Sequence, residues 1–123
     1  MTFITRFTLA GGRRSLLAVV ALAAALTATD PTTDTTFTLS GRSLTVKIGP
    51  DTPAKVKARL NGKKVGFVCV RSANRKMVNT YKTQLWPKGA LTMRVMLPKA
   101  LPHPTACGVE RPNGEDISYG SFG

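Results

Sequence analysis

Period-two alternation of apolar and polar residues is the feature that most constrains this chain. Leu44, Val46 and Ile48 alternate with Thr45 and Lys47, and Leu91, Met93, Val95 and Leu97 alternate with Thr92 and Arg94. Successive side chains of a strand point to opposite faces, so such runs bury one face and wet the other. Turn residues punctuate them: Ser40-Gly41-Arg42, Gly49-Pro50, Pro87-Lys88-Gly89 and Pro112-Asn113-Gly114. Short alternating segments between turns describe an all-β domain.

The segments can be placed in order. Phe37 and Leu39, then Leu44 to Ile48, predict a first hairpin around Gly41. Ala54, Val56, Ala58 and Leu60 also alternate with Lys55, Lys57 and Arg59. Asp51 or Thr52 as N-cap, Pro53 at the first helical position and Asn61-Gly62 as a stop nevertheless predict a short helix there. Between Lys63 and Arg71, Val65, Phe67 and Cys69 fall on one side and Gly66, Val68 and Val70 on the other. Apolar residues on both faces predict a central strand, covered on each side. The polar stretch 72–77 reads as a loop. Tyr81 to Leu85 and Leu91 to Leu97, around Pro87-Lys88-Gly89, predict a second hairpin. Pro98, Pro102 and Pro104 make 97–105 an extended connection. Ala106 to Glu110 and Ile117 to Phe122 predict a closing hairpin.

That count, about seven strands and one helix, predicts a mainly β fold: a small two-sheet antiparallel β-sandwich of immunoglobulin-like architecture, with a small open β-barrel as the alternative. The order Cys69, Trp86, Cys107 follows the immunoglobulin order. Thr105, however, stands where those domains carry a tyrosine two residues before the second cysteine, so the resemblance is one of architecture alone.

The N-terminus supplies an address. Arg6, Arg13 and Arg14 precede Ser15 to Ala28, an uncharged Leu/Ala/Val-rich run that ends at Asp30-Pro31. Basic, apolar and small residues in that order match a secretory signal peptide, and the run falls short of the roughly 20 apolar residues a membrane-spanning helix needs. Residues 1–28 are therefore assigned to a signal peptide with Ala28 as its preferred last residue; Ala23 and Ala25 form a better small-x-small pair but leave a very short apolar region. Residues 29–36 read as a disordered polar segment and 37–123 as a single domain. Arg13-Arg14-Ser15-Leu16-Leu17 also has the form of a twin-arginine signal, with Gly12 rather than Ser or Thr before it. A secreted or extracytoplasmic location follows, at the cell envelope or beyond it. In that compartment the solitary pair Cys69 and Cys107 is expected to form a disulfide.

Catalytic chemistry fails on inventory. His103 is the only histidine, set between Pro102 and Pro104 without an orienting partner. There is no Cys-x-x-Cys, no glycine-rich phosphate loop and no metal-ligand spacing, so no catalytic residue, metal or cofactor is expected. Glu110, Glu115 and Asp116 flank a turn, which accounts for them without an acid/base role. Charge is the remaining signal, with 18 Lys and Arg against 6 Asp and Glu. Between Arg42 and Lys99 fourteen basic residues meet one acid, Asp51. Such a field concentrates polyanions, and an anionic cell-surface polymer is the expected partner if the charges gather on one face. Lys63, Lys64, Arg71, Arg75, Lys76, Lys82 and Arg94 are the candidate contacts. Specific nucleic-acid recognition is not expected, because no aromatic platforms interleave the Arg71 to Lys76 stretch and no RRM or zinc-finger signature occurs. The sequence thus predicts an exported, small, basic, non-catalytic domain with a structural or weak binding role. The alternative is a small secreted hydrolase or inhibitor with a loop-built site.

Overall fold

The computed structural model of this protein describes residues 25–122; most of the proposed leader lies outside them. Eight strands and one helix follow in order: β1 (Leu26–Asp30), β2 (Thr35–Ser40), β3 (Ser43–Ile48), α1 (Ala54–Leu60), β4 (Lys64–Ala73), β5 (Lys76–Leu85), β6 (Thr92–Met96), β7 (Ala106–Glu110) and β8 (Asp116–Ser121). They build two antiparallel four-stranded sheets, ordered β1-β2-β3-β6 and β8-β7-β4-β5. Each sheet keeps two edges, so the architecture is the expected β-sandwich and the barrel alternative falls away.

The alternation places the core. Phe37, Leu39, Leu44, Val46, Ile48, Met93 and Val95 of the first sheet pack with Val65, Phe67, Cys69, Cys107 and Val109 of the second. Helix α1 adds Val56 and Leu60 from its one apolar stripe. Pro53 is itself the N-cap and no side chain caps the helix, because the Thr52 hydroxyl donates instead to the Asp34 carbonyl at 3.3 Å. Trp86, fully buried, stacks on Phe67 with ring centroids 6.3 Å apart. Its indole N–H donates to the Ala90 carbonyl at 2.9 Å, which satisfies the one polar group that burial would otherwise strand.

Cys69 and Cys107 form the expected disulfide, with Cα atoms 4.0 Å apart. They sit directly opposite each other on β4 and β7 of one sheet. The immunoglobulin bridge instead joins the two sheets, so here the resemblance stops at the sandwich.

Strand β4 is interior to its sheet, between β7 and β5, as its two apolar faces predict. Among the described residues no third layer covers its outer side. The Tyr81 hydroxyl lies over Gly66 and the Tyr119 ring over Gly108, where a Cβ would collide with either. These two side chains, close over neighbouring glycines, accompany the burial of Val68 on the face turned away from the core, where it is 4% exposed.

Three expectations need correction. Strands β5 and β6 do not form a hairpin across Pro87-Lys88-Gly89. They belong to different sheets, and 86–91 carries the chain from one sheet to the other. The hairpin is β4–β5, a ten-rung ladder whose tip is Asn74-Arg75 rather than a loop over 72–77. Both tip residues have positive φ, 51° and 64°, the signature of a tight two-residue turn that follows the strand twist. Residues 29–36, finally, are not a disordered lead-in: β1 runs from Leu26 to Asp30 along β2, and Ala28, the preferred end of the leader, lies buried within it.

Candidate functional site

The seven basic residues singled out from the sequence do not form one patch. Arg75 and Lys76 sit at the tip of the β4–β5 hairpin, and Arg71 lies near that end with a shielded Nε that has no hydrogen-bond partner. Lys64 opens β4 at the opposite end, nine residues from Ala73, or about 30 Å of strand. Lys82 lies midway along β5, opposite Phe67. Arg94 is on the other sheet, where its Nε donates to the Ser43 hydroxyl at 3.1 Å.

Only Lys63 and Lys64 enter a cationic cluster, and two residues outside the candidate set complete it. A cavity of about 280 Å³ is lined by Ala58, Arg59, Lys63, Lys64, Arg111 and Pro112. Three segments converge there. Arg59 comes from the last turn of α1, where basic side chains suit the negative end of the helix dipole. Lys63 ends the α1–β4 connection and Lys64 opens β4, and the backbone there is clamped: Lys63 N–H donates to the Leu60 carbonyl, Gly62 N–H to the Trp86 carbonyl at 2.8 Å, and Trp86 N–H to the Lys63 carbonyl at 2.9 Å. Arg111 and Pro112 come from the β7–β8 turn, held by Arg111 N–H to the Glu115 carbonyl and Gly114 N–H to the Arg111 carbonyl. The buried Trp86 therefore fixes the backbone that carries both lysines.

Charge inside the cluster is largely uncompensated. Among the described residues the one ion pair is Arg111 with Glu115, at 2.7 Å and half-exposed. Arg59, Lys63 and Lys64 have no acid within salt-bridge distance among the described residues. Four cations around one open concavity raise the local potential well above that of a scattered surface charge, and focus it on a ligand the size of a phosphate, sulfate or carboxylate group.

No carboxylate lines this cavity, although Glu115 reaches its edge through Arg111. Glu115 serves Arg111, whereas Glu110 and Asp116 face each other across β7 and β8. Burial, followed by the charge of Asp116, pushes the Glu110 carboxyl above its ordinary value, and burial with the same two charges raises the Tyr119 hydroxyl. Two further cavities are lined by Leu26, Leu39, Leu101 and His103 with their neighbours, and by Lys47, Ile48, Pro50, Lys57 and Leu91 with theirs; neither these nor the cationic one is lined by a carboxylate. Among the described residues no group of three or more His, Cys, Asp and Glu is placed to hold a metal, and no helix is long and apolar enough to cross a membrane.

Fold and site together define a disulfide-bridged β-sandwich with a cationic concavity at one end. No family model, curated protein or solved structure matches the chain. Arg59 and Arg111 escaped the sequence reading because they are 52 residues apart and nothing local to either marks it. The register that pairs Gly66 with Glu110 brings the β7–β8 turn to the start of β4, and no local pattern announces that pairing.

Proposed function

We propose that this protein is an exported, non-catalytic binding domain that attaches weakly to an anionic polymer at the cell surface, and that Arg59, Lys63, Lys64 and Arg111 are the contacts. The observation that carries the reading is the convergence of these four cations, from three separate segments, on one open cavity. The disulfide fits an oxidising compartment outside the cytoplasm, and the basic leader with its short apolar run fits the same address. An open cationic concavity with no carboxylate or nucleophile in its lining suits recognition of repeated anionic groups better than turnover of a substrate.

The test compares two charge-matched variants on a heparin column and in titrations with wall polymer and duplex DNA. One carries Arg59→Glu, Lys63→Glu and Lys64→Glu; the other carries Arg75→Glu, Lys76→Glu and Lys82→Glu. At 0.1 M salt the first is expected to lose about tenfold or more in affinity and the second less than about threefold, since a focused site weighs more than scattered charge. Binding is expected to fade toward 1 M salt, as the Debye length shrinks from about 10 Å to about 3 Å. Equal losses in the two variants, or no binding by the unaltered domain at low salt, would overturn the proposal.

A further inference from the structure

We infer that the leader is removed by hydrolysis of the Ala25–Leu26 peptide bond, so that the mature chain begins with the first residue of β1. The inference rests on the export reading and assigns the processing site within it. Two independent observations meet at this bond. The first is chemical. A signal peptidase accepts small residues at the last and third-last positions of the leader, and Ala23 and Ala25 supply both, whereas a cut after Ala28 puts Leu26 at the third-last position. The uncharged run from Ser15 to Ala25 is eleven residues, within the range of about 7–15 for the apolar core of such leaders.

The second observation is the fold. Ala25 is exposed and outside the ladder, and β1 starts at the next residue. Leu26, Thr27 and Ala28 pair with Leu39, Thr38 and Phe37, three of the five rungs that join β1 to β2. Ala28 is 4% exposed and packs so closely against β8 that a Cβ added at Gly120 would come within 3.0 Å of its own. A cut after Ala28 would remove those rungs, open the contact between β1 and β8, and expose the flank of Phe37. A cut after Ala25 leaves every one of them in place. In the reaction, water adds its oxygen to the Ala25 carbonyl carbon as the bond to the Leu26 nitrogen breaks, and that nitrogen takes up both protons of the water, the second from the new carboxyl group, leaving an Ala25 carboxylate and a Leu26 ammonium.

The experiment expresses the full chain in an exporting bacterial host and reads the N-terminus of the extracytoplasmic product by sequencing and intact mass. A product starting at Leu26 is expected. Ala25→Phe, at an exposed position outside the strand, is expected to cut the yield of that product about tenfold or more and to accumulate the precursor. Exported material starting at Thr29 or beyond, or unchanged processing of Ala25→Phe, would overturn the cleavage site while leaving export standing. Recovery of only Met1-containing chain in every fraction would overturn both.

Discussion

Asp30 carries the largest structural share of any single charged residue. Its carboxylate accepts the Thr32 hydroxyl at 2.7 Å, the Thr32 N–H at 3.1 Å, the Ser118 hydroxyl at 2.9 Å and the Tyr119 N–H at 3.0 Å. Through Ser118 it joins a chain of hydroxyls with Thr33 and Thr35, which are buried and so need these partners. Because β1 and β8 belong to different sheets, this network seals one side of the sandwich. Partial burial alone would raise the pKa of Asp30, but the hydrogen bonds outweigh it and hold the carboxyl below its ordinary value of 3.8. A lowered folded value means that the stabilisation is present above the unfolded value and disappears as pH falls through the folded one. Asp30→Asn is therefore expected to cost about 1 kcal/mol at neutral pH, a modest figure because solvent screens a half-exposed group. Denaturant titrations should show the gap from the unaltered protein closing as pH falls below the ordinary carboxylate value of 3.8; a gap that ignores pH would refute the account. The outer face offers a second residue-level test. At Gly108 a Cβ would meet the Tyr119 ring and, at 2.8 Å, the Ser118 backbone carbonyl, whereas at Gly66 it meets only the Tyr81 side chain. Tyr81 is 38% exposed and free to swing outward. Gly108→Ala should cost about 1–3 kcal/mol and Gly66→Ala clearly less, by thermal or urea unfolding.

At the scale of elements, the β4–β5 hairpin shows how a short polar stretch hides a turn. Asn74 suits positive φ, but Arg75 pays the usual steric cost of a side chain in the left-handed region, at φ 64°. Arg75→Gly is expected to stabilise the protein by about 0.5–1 kcal/mol, read as an upward shift in Tm. Polyanion binding should stay essentially unchanged, since this tip is remote from the Arg59–Lys63–Lys64 cluster. A loss of stability would show that the arginine side chain makes contacts that outweigh its backbone strain. The second element-level lesson concerns 86–91. Trp86 ends β5 by turning inward onto Phe67, and its N–H bond to Ala90 shapes the crossover, so the next strand joins the other sheet.

For the whole molecule, the disulfide ties β4 to β7 and closes a loop that passes through β6 of the other sheet. Its 38-residue separation restricts the unfolded chain, and a domain of this size has a modest core to set against chain entropy. Replacing both cysteines by alanine is expected to cost about 2–4 kcal/mol, measured by urea unfolding. The sandwich should survive in mild conditions, because the cross-strand register between β4 and β7 has further rungs at Phe67, Val68 and Val70. Unfolding of the double variant at room temperature without denaturant would show that the ladder depends on the bridge.

Local chemistry by itself determined a good deal of this protein. Alternation in Leu44 to Ile48 and Leu91 to Leu97 specified strands with one buried face, Gly41 and Pro112-Asn113-Gly114 specified two hairpins, and Pro53 with Asn61-Gly62 specified the helix. The solitary cysteine pair specified the bridge. Those signals lie within a few residues of what they determine. Tertiary structure alone decided which strands share a sheet, because sheet membership depends on the direction in which a connection such as 86–91 leaves its strand. It also decided that 29–36 is ordered, since Asp30 and Thr33 find their partners at Ser118 and Tyr119, more than eighty residues away. The cationic cavity belongs to the same category. Lys63 and Lys64 were legible as charges, but their union with Arg59 and Arg111 follows from the pairing of β4 with β7, which no short-range pattern encodes.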